Sequence, residues 1–210
     1  MHILLTDILT CPRCGPGFGL IVLANRIDNR QVIAGRLGCA NCRSSYPIVE
    51  GVGDLRATSG VSLGLSDAIG PLDERAIRTA ALLGSAPPGA KTLLIEESAS
   101  HAAEIASHFP EVHVVALSAD VPIPAGAGDL LSPLATADQL PFRAEVFHGC
   151  AILGTPTEGL LSEALRVLAP GARIVVDARS EGTLEALRSA GAHILLDQDG
   201  VVVAATPGRR

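Results

Sequence analysis

The chain has 210 residues, of which 48% are hydrophobic and 18% are charged, and its formal net charge is −6. This composition supplies a core for one domain or two small ones and excludes intrinsic disorder. No apolar run reaches the ~20 residues that a membrane-spanning helix needs, and the amino terminus lacks the regions of a secretory signal, so we expect a cytoplasmic protein with reduced thiols.

Charge is unevenly distributed along the chain. Residues 1–57 hold six Arg against four acidic residues, whereas residues 58–210 carry a net charge of −8. With one Tyr, four Phe and no Trp, the chain offers few platforms on which nucleic-acid bases stack. Direct binding of nucleic acid is therefore disfavoured, because proteins that grip phosphates usually carry a basic stripe.

Two Cys-x-x-Cys motifs lie near the amino terminus, Cys11-Pro12-Arg13-Cys14 and Cys39-Ala40-Asn41-Cys42. Two residues between cysteines let one turn aim both sulfurs at one point, and two such turns complete a tetrahedron around Zn²⁺. The alternatives are disulfides, which the cytoplasm disfavours, or unpaired core cysteines. We predict a structural zinc ribbon without an open coordination position, with strands at 20–23 and 32–34.

A longer pattern surrounds these cysteines. It comprises Leu5-Thr6-Asp7-Ile8-Leu9-Thr10 before the first motif, Gly35-Arg36-Leu37-Gly38 before the second, and Tyr46-Pro47-Ile48-Val49-Glu50-Gly51 after it. Over about residues 3–56 it resembles the zinc-ribbon proteins related to the eukaryotic tRNA-methyltransferase activator subunit. The resemblance implies a ribbon that stabilises methyltransferase domains by contact. Its apolar edge at 46–49 is then expected to pack on such a fold, in this chain or in another protein.

The rest of the chain alternates helix and strand patterns. Residues 57–71 are rich in Ser and Gly and are predicted to be a linker, which places domains at 1–56 and 72–210. Periodicity then predicts a helix from Asp73 to near Gly84, strands at 92–95, 112–117, 145–153 and 172–178, helices at 98–108, 157–168 and 181–189, and a hairpin joining 194–196 to 201–203 through Asp199-Gly200. The predicted fold class is α/β, with helices on both faces of the sheet.

Two segments of this region resemble the Rossmann-like methyltransferases that depend on S-adenosylmethionine. Residues 163–176 are close to the family pattern E-x-x-R-V-L-K-P-G-G followed by a strand, and Leu140-Pro141-Phe142 matches the L-P-F before its fourth strand. The resemblance covers roughly residues 73–206. It implies the fold, and because these residues are structural it implies nothing about activity.

The positions that hold the cofactor in that family differ in this chain. After its first strand the family has D/E-x-G-x-G-x-G, which lets the methionine and ribose lie against bare backbone. This chain keeps the acid as Glu96 but has Ser98, Ser100 and Ala102 in place of the three glycines. Side chains at these positions are expected to crowd the cofactor.

The acids that would bind ribose and adenine are also replaced. Ser118 stands in place of the ribose-binding acid, with Asp120 two residues later, and Thr136 stands in place of the adenine-binding Asp. Residues 118–127 contain two prolines and are too short for the usual crossover helix. Together these changes predict a degenerate pocket that does not bind S-adenosylmethionine.

Two further side chains are candidates for chemistry. Cys150 follows His148 and resembles a nucleophile beside a base, but its apolar strand context favours core packing. His101, near a helix start, is a candidate ligand or base, and a surface or capping role is favoured. We therefore assign no catalytic residue.

The sequence predicts a non-catalytic zinc protein that acts as a binding, activating or scaffolding subunit for a partner protein, such as a methyltransferase or a larger assembly. The alternative is an active S-adenosylmethionine-dependent methyltransferase whose fused ribbon replaces a separate activator or recognises the substrate. A direct RNA- or DNA-binding module ranks third because of the acidic charge. Cofactor binding distinguishes the first two hypotheses, and a salt-dependent gel shift tests the third.

Overall fold

The structure, a computed structural model, describes residues 1–56, 74–118, 130–135, 139–178 and 180–208. The strands are β1 (Thr10–Cys11), β2 (Gly15–Asp28), β3 (Gln31–Cys39), β4 (Ser45–Val49), β5 (Val52–Asp54), β6 (Lys91–Glu96), β7 (His113–Ser118), β8 (Leu131–Ala135), β9 (Phe147–Leu153), β10 (Leu168–Asp177), β11 (His193–Gln198) and β12 (Val201–Ala205). The helices are α1 (Glu74–Leu83), α2 (Glu97–Ser100), α3 (Ala102–Ser107), α4 (Glu158–Val167) and α5 (Glu181–Ser189), and a 3-10 turn covers Ile3–Asp7.

The strands form one sheet in the order β1-β2-β3-β4-β5-β8-β7-β6-β9-β10-β12-β11. Strands β5, β8, β7, β6, β9 and β10 run parallel, and the closing hairpin of β11 and β12 is antiparallel. One buried apolar cluster extends from the ribbon to α4 and α5, and a second joins α1 and α3 to the sheet. The predicted α/β class with a terminal hairpin is confirmed. Among the described residues, no helix has both the length and the apolarity to cross a membrane.

The ribbon and the α/β region share this sheet. Strand β5 pairs in parallel with the end of β8, where Gly53 lies opposite Leu134. A Cβ added at Gly53 would lie 2.8 Å from a methyl carbon of Leu134, so the two strands approach closely here. The ribbon therefore joins the sheet edge of its own chain through β5, whereas the edge expected to pack there, residues 46–49, lies on β4 between β3 and β5.

Local signals explain several element ends. The side chain of Thr157 accepts the Leu160 amide at the start of α4, and Ser180 accepts the Thr183 amide at the start of α5. Asp199 and Gly200 both have positive φ, 51° and 78°, as the predicted two-residue turn requires. These elements lie close to their predicted bounds.

Two elements differ from the prediction. The helix predicted at 98–108 is two short helices that meet at His101. Strand β8 was not predicted, because Pro133 lies in its middle. Proline has no N–H to donate, and the nitrogen of Pro133 faces the ribbon rather than β7. On that side β5 pairs only with Leu134 and Ala135, so the sheet loses no hydrogen bond at Pro133. The predicted linker and the predicted cap at Asp73 lie outside the described residues.

Candidate functional site

The four motif cysteines converge at one point of the ribbon. Their Sγ atoms lie within 4.8 Å of one another, with Cys11 and Cys42 at 3.7 Å and Cys14 and Cys39 at 3.8 Å. Four sulfurs at the usual zinc–sulfur distance of about 2.3 Å in a tetrahedron are separated by roughly 3.8 Å. The donor set and its spacing therefore fit a tetrahedral zinc ion, with all four positions filled by protein.

Both cysteine turns end in a left-handed residue. Gly15 follows Cys14 with φ of 83°, and Arg43 follows Cys42 with φ of 59°. In the second turn the Arg43 amide donates to the Cys39 carbonyl oxygen. The reversal after each second cysteine turns both sulfurs of a motif towards the same centre.

Polar side chains surround the sulfurs. The side-chain amide of Asn41 donates to Cys14 Sγ at 3.3 Å. The Tyr46 hydroxyl lies 3.5 Å from Cys11 Sγ, and Ser44 Oγ lies 3.1 Å from Cys42 Sγ. The hydrogen bonds of Ser44 lower the pKa of Cys42 to about 6. The bond from Asn41 lowers the pKa of Cys14, but burial and bonds with the other three cysteines raise it to about 11 overall while no metal is bound. Donors to sulfur favour the thiolate form that binds a metal.

The metal centre adjoins the contact between the ribbon and the α/β region. The amide of Thr10, next to Cys11, donates to the Pro141 carbonyl oxygen at 2.8 Å, and the Arg143 amide donates to the Ile8 carbonyl oxygen at 3.0 Å. Leu9 forms a β-bridge with Phe142 between these two bonds. The L-P-F segment thus holds the chain immediately before the first zinc-ligand candidate.

Arg166 holds the same segment from its other side. Its guanidinium donates to the carbonyl oxygens of Phe142 at 2.8 Å and Leu140 at 3.0 Å, and to both carboxylate oxygens of Glu163 at 2.7 Å. These bonds hold the pKa of Glu163 below its usual value. The E-x-x-R motif therefore fixes the surface on which the ribbon docks.

We expect Arg166→Met to destabilise the protein by about 2–3 kcal/mol, because two carbonyl oxygens and a carboxylate lose their donor. Arg188→Met, on an exposed position of α5, is the matched control and should change stability by less than about 0.5 kcal/mol. Urea unfolding at pH 7 measures both. Equal effects of the two variants would contradict the role of Arg166.

The stability that Arg166→Met removes should also depend on pH. Since the pKa of Glu163 is lower in the folded protein, the stability difference between the variant and the unmodified protein should shrink as pH falls below the unfolded value of about 4.3.

The residues at the former cofactor positions are placed around the carboxyl end of β6. The Ser98 side chain is buried, and its hydroxyl lies 2.7 Å from the Ile95 carbonyl oxygen on β6 and 2.9 Å from the Ala151 carbonyl oxygen on β9. The Ser100 hydroxyl donates to the Glu97 carbonyl oxygen. Helix α2 follows β6 directly, so the glycine-rich turn of the resembling family is replaced by helix.

The other predicted pocket residues are less closely grouped. Glu96 ends β6 with φ of 55°, a conformation that costs a non-glycine residue about 1–3 kcal/mol. Ser118 is buried at the end of β7, and Ala102 is buried at the start of α3. Asp120 and Thr136 lie outside the described residues.

Charged side chains that the sequence did not identify cross the same end of the sheet. Arg75 and Arg78 of α1 donate to the Asp177 carboxylate at 3.1 and 3.2 Å, and Arg75 also approaches the Glu97 carboxylate at 3.8 Å. A Cβ added at Gly154 would lie 3.9 Å from the Glu97 carboxyl carbon. Glu97 therefore lies beside the end of β9, and Arg75 links it to the end of β10.

The remaining candidates lie apart from these groups. Cys150 is fully buried in the sheet, and burial raises the pKa of its thiol, which makes a reactive thiolate unfavourable. His148, two residues earlier on β9, is exposed to solvent. His101 is half-buried at the junction of α2 and α3 and makes no side-chain cap bond there.

Comparison with known proteins agrees with this geometry. Residues 2–51 match the model of a family described as Trm112p-like protein. The amino-terminal ribbon is Trm112p-like. All four cysteines of the cluster lie inside the matched segment, so the Trm112p-like ribbon and the candidate metal centre are the same unit. No curated protein matches the sequence.

Comparison with solved structures concerns the fold of the chain. The 4+2 cyclase SpnF aligns with 64% of this chain and 81% of its own at 15% identity and a TM-score of 0.53. A geranyl diphosphate methyltransferase aligns with 62% of this chain and 76% of its own, at 12% identity and a TM-score of 0.50. The geranyl diphosphate C-methyltransferase of Streptomyces coelicolor A3(2) aligns with 62% of this chain and 78% of its own, at 11% identity and a TM-score of 0.50. These likenesses show a methyltransferase-like fold beside the Trm112p-like ribbon. Because they include a cyclase and methyltransferases, the fold does not decide the chemistry.

Proposed function

We propose that this chain is a non-catalytic zinc protein in which a Trm112p-like ribbon stabilises, within one chain, a methyltransferase-like domain that no longer binds S-adenosylmethionine. The zinc ligands are Cys11, Cys14, Cys39 and Cys42. The assembled domain acts as a binding or scaffolding subunit for other proteins, through surfaces other than the ribbon edge that β8 already occupies.

The hydroxyl of Ser98 carries this proposal. In parallel sheets of this kind, ligands bind where the strand order reverses, which here is the crevice between β6 and β9. Ser98 bonds to carbonyl oxygens of both strands at that point, where the resembling family needs a glycine. Glu97 and its link to Arg75 add charged side chains at the same mouth. These side chains at the crevice support the proposal that the cofactor no longer binds there.

One observation favours the alternative of an active methyltransferase. Glu96 remains at the end of β6, where the resembling family places its first acid, and it holds a strained backbone. Strain of this kind persists where the surrounding structure requires it, and it often marks functional sites. Cofactor binding separates the two functions.

We expect no rise in melting temperature when S-adenosylmethionine is added to the zinc-loaded protein, because ligands stabilise only the states that they bind. The variant Ser98→Gly/Ser100→Gly/Ala102→Gly restores the three glycines and serves as the comparison. It should be less stable, since the carbonyl oxygens of Ile95 and Ala151 lose the single hydroxyl that they share, and it tests whether side-chain bulk alone excludes the cofactor. A clear stabilisation of the unmodified protein would support the active enzyme instead.

A further inference from the structure

The exposed apolar side chains are concentrated on the ribbon. Of the eight large hydrophobic residues exposed among the described residues, six belong to the first 56, including Ile27 at 51% exposure. Ile27 lies near the tip of the hairpin formed by β2 and β3, between Arg26 and Arg30. Neither Arg side chain makes a hydrogen bond or ion pair within the described part of the chain. The tip is an exposed apolar residue flanked by two cations.

The tip also keeps an unfavourable residue. Asn29 and Arg30 form its two-residue turn with φ of 41° and 64°. Such turns favour Gly at the second position, and a side chain held there costs about 1–2 kcal/mol. The Arg30 side chain is therefore held at the tip at a cost in backbone strain.

An apolar groove with the opposite charge lies on the α/β region. It is an open hollow of about 490 Å³ between α1 and residues 108–112, and its walls include Ile77, Ala81 and Phe109. Glu111 also lines it, and the Glu111 carboxylate has no partner within the described residues.

The hairpin tip and the groove lie at the same end of the sheet. The Gln31 side chain donates to the Leu131 carbonyl oxygen at the start of β8, which places the tip beside the amino ends of the parallel strands. The groove ends at Val112, immediately before β7. Because both features lie at one end of the sheet, a two-fold axis there is the symmetry that would let each copy offer its tip to the groove of the other.

We propose that two copies of this chain form a two-fold dimer in which the hairpin tip of each, with Ile27 flanked by Arg26 and Arg30, docks in the groove between α1 and residues 108–112 of the other. Each dimer contains two such contacts. Apolar burial of Ile27 supplies affinity, and Arg30 and Glu111 supply orientation.

Sedimentation velocity of the full zinc-loaded chain tests the dimer. The species should change from 21.5 kDa to twice that mass between about 1 and 100 µM, a range typical of modest interfaces. Ile27→Asp on the tip and Ala81→Glu in the groove should each shift the dissociation constant at least tenfold. Both positions are exposed, so the variants should fold, which zinc content confirms.

Mixing two charge-exchange variants, Arg30→Glu and Glu111→Arg, separates docking from a general effect on solubility. In the mixed dimer one contact is unchanged and the other pairs the exchanged charges, so the mixture should dimerise better than either variant alone. A monomer at 100 µM, or a dimer that neither Ile27→Asp nor Ala81→Glu weakens, would overturn the proposal and leave the groove to a different protein.

Discussion

Cys39→Ser should lose most of its zinc and unfold the ribbon. Folding of small zinc modules is coupled to metal binding, which contributes roughly 10–16 kcal/mol in isolated fingers, more than the total stability of a typical domain. Cys39 is almost fully buried, and its Sγ lies 3.8 Å from that of Cys14. A serine hydroxyl at this position is a poor zinc ligand, and the remaining sulfurs cannot complete the tetrahedron.

The loss should extend beyond the ribbon. With β5 released, the edge of β8 and the fully buried Leu134 become exposed to water. Elemental analysis combined with hydrogen exchange measures both effects, and we expect reduced protection at β8 before α5 changes. Cys150→Ser, away from the cluster, should keep one zinc per chain. Retention of a full equivalent by Cys39→Ser would contradict the assignment.

Phe142→Ala should destabilise the protein by about 3–5 kcal/mol, the usual cost of removing a fully buried aromatic ring. Phe142 is inaccessible to solvent, its ring packs edge-on against Phe147 with centroids 4.9 Å apart, and its backbone forms the bridge to Leu9 of the ribbon. The substitution therefore leaves a cavity where the ribbon, the L-P-F segment and β9 meet.

Phe18→Ala is the matched control, because Phe18 lies on the ribbon and is 44% exposed. Its effect should stay within about 0.5–1 kcal/mol. Urea unfolding of both variants with zinc bound gives the comparison. A small loss for Phe142→Ala, similar to that of the control, would show that the ribbon and the α/β region are not joined through this ring.

Local rules explain what the sequence predicted well. The cysteine spacing fixes the metal cluster, the Asp199-Gly200 turn fixes the last hairpin, and the cap at Ser180 fixes the start of α5. The turn and the cap depend on residues within a few positions of one another, and the metal cluster combines two such short Cys-x-x-Cys turns, so a pattern in the sequence is sufficient. The same holds for the E-x-x-R motif, although its pattern did not reveal that Arg166 binds the L-P-F carbonyl groups.

Long-range pairing explains what the sequence did not predict. Strand β8 was hidden by Pro133, which is tolerated only because β5 covers part of one side. The pairing of Gly53 with Leu134 joins residues 81 positions apart, and no local pattern indicates it. The link from Arg75 to Asp177 likewise depends on the folded sheet, which brings the start of α1 to the end of β10.

Calorimetric titration of the zinc-loaded chain with S-adenosylmethionine tests the central claim most directly. Because the buried Ser98 hydroxyl lies between both strands at the crevice and Ser118 stands where the resembling family has its ribose-binding acid, we expect no binding heat below about 1 mM. Such weak binding corresponds to less than about 4 kcal/mol of affinity. A saturable isotherm with a dissociation constant near 10 µM, about 7 kcal/mol, would contradict the non-catalytic function and favour an active methyltransferase.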